Sequence, residues 1–176
     1  MNNLTKYLSD EEFNYIYHEH DIYNKSMMLV EILFIDKVDK NNKPYLYHLL
    51  RVSSKMSTIE GKTAALLHDV VEDIEGVTFD DLIDIGIPNN IIEVLKLVTK
   101  KPHEDNLNRE EKLLLYNDEI DNIIKSDNEL AIELKYSDMS DNFNKNRLSE
   151  LDETTREWLT RKYGNNIKKL EKRLEK

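Results

Sequence analysis

Cysteine is absent from the 176 residues, which removes disulfides, thiolate metal sites and a cysteine nucleophile together and suits a reducing compartment. A metal would have to be held by His, Asp or Glu. Glycine and proline are scarce, at 4 and 3 residues, so helix breakers are few. Set against 34% charged and 39% hydrophobic residues, that scarcity predicts long amphipathic helices and an all-α fold. The opening MNNLTKYLSDEEF has neither a basic nor an apolar leader segment, and no later apolar run approaches a membrane span. The expected location is therefore the cytoplasm, with no membrane partner. Basic residues are in deficit, 25 against 35 acidic, for a net charge of -10. Such a surface repels nucleic-acid phosphates, and the basic residues are scattered except near the C-terminus. An anionic small molecule would need a metal or a few placed lysines to be held.

What is present reads as one helical domain over 1–176, since the length suits a single core. Ser9-Asp-Glu-Glu has the N-cap residue and acidic first turn of a helix. Further helices are predicted over 21–35, 45–56, 58–73 and 88–97, with a short one from Thr78 ended by Gly86, then over 108–124 and 126–142. A last helical stretch runs from Thr154 to the end, interrupted near Gly164. The Asp39-Lys-Asn-Asn-Lys-Pro44 segment breaks the pattern with turn residues. No internal repeat, linker or low-complexity tract divides the chain.

The stretch HDVVED, His68 to Asp73, packs one imidazole and three carboxylates around two valines. A solvated acidic helix end would account for an isolated His-Asp pair. Two distant residues argue for more. His48, in KPYLYHLL, and Asp138, in ELKYSDMSDN, each fall on a predicted apolar helix face, where an unpaired polar group is costly. Two imidazoles and two carboxylates form a mixed nitrogen and oxygen donor set that suits manganese, iron or zinc and leaves coordination positions open. On the helix predicted over 58–73, His68 and Glu72 are one turn apart, as are Asp69 and Asp73, so both pairs can face one small volume.

The order His48, His68-Asp69, Asp138 resembles the HD superfamily of metal-dependent phosphohydrolases. The longer strings KPYLYHLLRV, AALLHDVVED, VTK at Val98 to Lys100 and ELKYSDMSDN resemble the hydrolase domains of alarmone synthase/hydrolases and of small stand-alone (p)ppGpp hydrolases. The match runs over about 38–148, with 152–176 as a C-terminal helical extension. The resemblance implies an HD-domain helical bundle with one divalent metal, Mn2+, on His48, His68, Asp69 and Asp138. It makes Glu72 and Asp73 the catalytic acidic pair, Glu72 orienting water or moving its proton. It implies hydrolysis of a nucleotide phosphate or pyrophosphate ester by metal-activated water, most specifically removal of the 3′-pyrophosphate of (p)ppGpp. Lys40 matches a loop lysine that meets substrate, and Asn142 an asparagine near the nucleotide sugar. Asp141 and Arg147 match recurring polar residues of short HD phosphohydrolases. The chain departs from the alarmone hydrolases at three places. It has Asp39-Lys40 for an Arg-Lys pair, Leu49 for a proline, and Asp138-Met139 for Asp-Arg. The first change removes a planar cation that can stack on guanine and supplies a carboxylate that can accept from a base edge. Weaker guanine discrimination is expected. The alternatives are an HD phosphohydrolase of an adenine-type nucleotide and a catalytically silent nucleotide-binding regulator.

The remaining signals are weaker. His18 and His20 flank Glu19 at a helix end and read as solvated. His103 is the one histidine between the His-Asp pair and Asp138, so a mononuclear site is expected rather than a dinuclear one. In the tail KKLEKRLEK, with Ile167, Leu170 and Leu174 at helical spacing, docking on the chain's own domain is expected. Homo-oligomerisation is left open.

Overall fold

The computed structural model describes residues 2–100 and 107–175. Among these residues the chain is all-helical, and its sole extended pairing is an isolated bridge between Val38 and Pro44. No helix among them is long and apolar enough to cross a membrane. The helices gather into two compact units, residues 1–99 and 100–176.

The first unit opens with a 3-10 turn at Asn3–Lys6 and continues through α1 (Asp10–His18), α2 (Ile22–Leu33) and α3 (Leu46–Ser54). It then adds α4 (Ile59–Leu67), α5 (Val70–Asp73), α6 (Phe79–Asp84) and α7 (Asn89–Val98). The starts follow local chemistry. Ser9 and Thr78 form reciprocal capping boxes with Glu12 and Asp81, while Asp21 and Thr58 accept from the backbone amides of Asn24 and Gly61. α4 is the centre of the unit, packed by α2, α3 and α7. Gly61 and Thr63 through Leu67 are all buried. A helix enclosed on several sides cannot show a one-sided apolar stripe, and IEGKTAALL shows none.

The second unit comprises α8 (Arg109–Lys125), α9 (Glu129–Asn142), the short α10 (Lys145–Ser149) and α11 (Glu153–Leu174). α11 packs on both α8 and α9. Its Leu159, Tyr163, Asn166 and Leu170 are buried, and Asn166 Nδ2 donates to Asn117 Oδ1 at 2.6 Å. Charges cross-brace the same helices: Arg161 meets Glu110, and Lys169 meets Asp121 at 2.7 Å.

The structure departs from the sequence expectations at three elements. The stretch 58–73 is two helices rather than one, broken at His68-Asp69. α11 runs through Gly164 without interruption, because flanking packing and ion pairs outweigh the roughly 1 kcal/mol that a helical glycine costs. α10 is an unexpected addition, capped by Asn144, whose side chain accepts from the Asn146 amide.

Candidate metal centre

His48 lies in the first turn of α3, on the buried face with Leu49 and Val52. The turn before it is built by Pro44 and Tyr45, whose carbonyls accept from the amides of Tyr47 and His48 at 3.0 and 2.8 Å. Proline is tolerated there because a first-turn amide has no helical partner to lose.

His68 and Asp69 occupy the break between α4 and α5. His68 is still helical, at φ -61° and ψ -29°. Asp69 moves to φ -99° and ψ 0°, the sparsely populated bridge region in which active-site residues recur. Successive residues on a regular helix point away from one another. At this break they converge instead, and His68 Nε2 lies 3.1 Å from Asp69 Oδ2. His48 Nε2 is 3.7 Å from the same oxygen, and the two imidazole centroids are 5.4 Å apart. One ligand atom from each of His48, His68 and Asp69 falls within 4.8 Å of the others. The three residues are 2%, 4% and 8% exposed.

One hydrogen bond selects the tautomer of the neutral His68 ring. His68 Nδ1 faces the Ala65 carbonyl at 2.7 Å. An acceptor there requires the ring to carry its proton on Nδ1, so the neutral imidazole presents a lone pair at Nε2. That lone pair and the Asp69 carboxylate oxygen are two acceptors at 3.1 Å in a buried site. A cation shared between them would relieve that repulsion. Two imidazole nitrogens and a carboxylate oxygen also form a donor set typical for a divalent transition metal. The residues therefore fit a metal ion.

Glu72 and Asp73 follow on α5, the first half-buried and the second exposed. The Asp73 carbonyl accepts from Lys37 Nζ at 2.6 Å. In the 37–45 segment Asp39 N donates to Lys43 O at 2.8 Å and Tyr45 N to Lys37 O at 2.9 Å, making a tight hairpin-like loop. Asn42 takes the left-handed conformation at φ 55° that such a turn demands. Lys40 is exposed near its tip. Asp39 braces this loop from within. Its Oδ1 accepts from the amides of Asn41 and Lys43 at 2.9 and 3.0 Å, and the residue is 9% exposed. The carboxylate expected to meet a base edge is in large part committed to folding its own loop.

Asp138, Asp141, Asn142 and Arg147 belong to the second unit. Asp138 is 8% exposed on α9; its Oδ1 accepts from Asn142 Nδ2 at 2.6 Å and its Oδ2 lies 3.5 Å from Lys135 Nζ. Asp141 is buried and pairs with the Arg147 guanidinium, tying the end of α9 to α10. His18 and His20 are exposed, and His103 lies outside the described residues.

One residue that touches the group is not named by the sequence pattern. Tyr45 Oη donates to Asp69 Oδ2 at 2.6 Å, while its ring stacks on Phe34 and meets His48 edge-on. Its spacing of three before His48 puts both on one helical face and was the available signal. Within the second unit, Lys135 is buried beside Asp138, three residues before it on α9. No model of a known protein family matches this sequence, and comparison with curated proteins finds no match.

Proposed function

We propose that the chain is a metal-dependent phosphohydrolase of the HD superfamily, acting on a nucleotide that carries a phosphate or pyrophosphate ester, with (p)ppGpp as the most specific candidate. The observation that carries this reading is the buried convergence of His48, His68 and Asp69 at a helix break. In this reading these three residues hold one divalent ion, with Mn2+ the first choice. Asp138 is added as a fourth ligand from the sequence pattern alone. When bound, the ion would lower the pKa of water and neutralise charge developing on phosphoryl oxygens.

The chain's own groups supply the rest of the chemistry. Glu72 is half-buried on the short helix that restarts after Asp69. It is the proposed acceptor for the proton of the attacking water, and hands that proton to the leaving oxygen. Asp73 is the proposed partner that positions the water. Lys40, on a loop that Asp39 hydrogen-bonds across, supplies a cation for substrate phosphate in a chain of net charge -10. Asn142 offers an amide towards the sugar. With its Nδ2 on Asp138, its carbonyl oxygen is the atom suited to accept from a ribose hydroxyl. The loop has no arginine at position 39, so guanine contacts must come from elsewhere, and an adenine-type nucleotide belongs in the same test.

The test has two parts. Elemental analysis after manganese reconstitution should give about one ion per chain, lost in His68→Ala and Asp138→Ala. A panel of guanine and adenine nucleotides, with and without 3′-pyrophosphate, incubated with the loaded protein and separated by chromatography, should show release of phosphate or pyrophosphate from at least one. Two ions per chain would overturn the mononuclear centre. Metal binding with no turnover of any panel member would overturn the hydrolase.

A further inference from the structure

We propose that Tyr45 is a positioning residue for the metal centre, its hydroxyl fixing which oxygen of Asp69 is presented as ligand; this rests on the metal-binding reading of His48, His68 and Asp69. The geometry argues it from three sides. The Tyr45 hydroxyl donates to Asp69 Oδ2 at 2.6 Å, and Oδ2 is the same oxygen that lies 3.1 Å from His68 Nε2 and 3.7 Å from His48 Nε2. A carboxylate oxygen has two lone pairs, so the hydroxyl can occupy one and leave the other directed at the imidazoles. The tyrosine ring is itself held. It stacks on Phe34 with centroids 5.2 Å apart and planes 14° from parallel, and meets the His48 ring edge-on at 5.5 Å. Phe34 is 2% exposed at the end of α2, so the ring rests on a fixed wall.

Asp69 needs such support more than either histidine does. It stands at a helix break, with no side-chain capping bond to its own helix. His68 is oriented by a backbone carbonyl and His48 by the packing of α3. Tyr45 supplies the corresponding constraint for the carboxylate. It also joins that constraint to the lysine-bearing loop, since the Tyr45 amide donates to the Lys37 carbonyl.

Tyr45→Phe keeps the ring, its stack on Phe34 and its edge contact with His48, and removes the hydroxyl alone. The probe is manganese alone, its affinity for the folded full chain measured by competition with a fluorescent chelating indicator. Cobalt substitution adds the visible absorption spectrum as a readout of ligand geometry. Loss of an outer hydrogen bond of this kind should weaken manganese binding by about 10–100-fold and alter the cobalt spectrum. A hydroxyl that only stabilises the fold would lower the melting temperature in chelator but leave the affinity of the folded protein and the cobalt spectrum as they are, and that result would overturn the inference while leaving the metal centre standing. Absence of manganese binding by the unmodified protein, or binding that survives His68→Ala, would overturn the metal centre and this inference with it.

Discussion

The replacement Asp69→Asn separates a buried metal centre from a buried ion pair by the sign of its effect. In the neutral tautomer that the Ala65 carbonyl selects, and with no metal bound, the carboxylate oxygen would confront the His68 Nε2 lone pair at 3.1 Å. An amide is nearly isosteric with the carboxylate. Its Nδ2 can donate one hydrogen to His68 Nε2 and the other to the Tyr45 hydroxyl, which accepts as readily as it donates. A repulsion becomes a neutral hydrogen bond, worth about 0.5–1.5 kcal/mol. For a chain of this length each kcal/mol moves the melting temperature by about 2–4 °C, so in chelator the variant should melt about 1–6 °C above the parent. In manganese the order should reverse. A ligand at 100 times its dissociation constant stabilises the native state by about 2.7 kcal/mol, or about 5–11 °C, and the variant lacks the anionic ligand needed for that response. The assay is a pair of thermal melts, one in EDTA and one in manganese, for parent and variant. A variant that melts well below its parent in EDTA would show that a proton, not a metal, holds the two groups together. A variant that keeps the full manganese shift would place the ion elsewhere.

Glu72→Gln should keep its manganese and lose turnover by about 10² or more, because the amide keeps the volume but cannot take a proton; elemental analysis beside a rate measurement checks both halves. Asp81 offers a pH test. Burial pushes its carboxyl up, but hydrogen bonds from Thr78 and Asn3 outweigh that and hold it below the ordinary carboxylate range. A depressed carboxylate contributes stability above its unfolded pKa of about 3.9 and loses it as pH falls through the folded value. Asp81→Ala should therefore cost about 1.5–3 kcal/mol near neutrality in urea unfolding, with the gap to the parent narrowing below about pH 4. Gly86→Ala should destabilise by about 1–3 kcal/mol, since Gly86 sits at φ 96° and a Cβ would come 2.8 Å from Lys25 Nζ, whereas Gly164→Ala, with nothing within 4 Å, should stabilise by about 0.5–1 kcal/mol. Equal effects at the two glycines would contradict the backbone argument.

Most helix starts were legible in the sequence because capping is local: Ser9, Asp21, Thr58 and Thr78 each act on an amide three residues away. The all-helical class followed from the same short-range chemistry and the scarcity of breakers. The break at His68-Asp69 was not legible. Nothing in ALLHDVVED is a helix breaker, and the interruption shows only in three dimensions, between Leu67 and Val70. The uninterrupted α11 escaped for the opposite reason: local propensity at Gly164 argued for a stop, and packing against α8 and α9 overruled it. The candidate ligands His48, His68 and Asp69 could be named from residue type and spacing, since buried imidazoles and carboxylates demand partners. Of their supports, the tyrosine hydroxyl left only its spacing of three before His48 as a signal, and the main-chain carbonyl belongs to no particular residue type.

The carbonyl of Ala65 that holds His68 Nδ1 bears on how such a site can change over generations. Where a side chain orients a ligand, one substitution can remove the support and leave the ligand behind. Here the support is peptide backbone within α4, present whatever residue occupies position 65, and it is created by the same helical turn that buries Leu66 and Leu67. Drift at that position can alter packing but cannot delete the acceptor. The correct tautomer of His68 is then inherited with the fold itself, and only the loss of the helix end would disarm it.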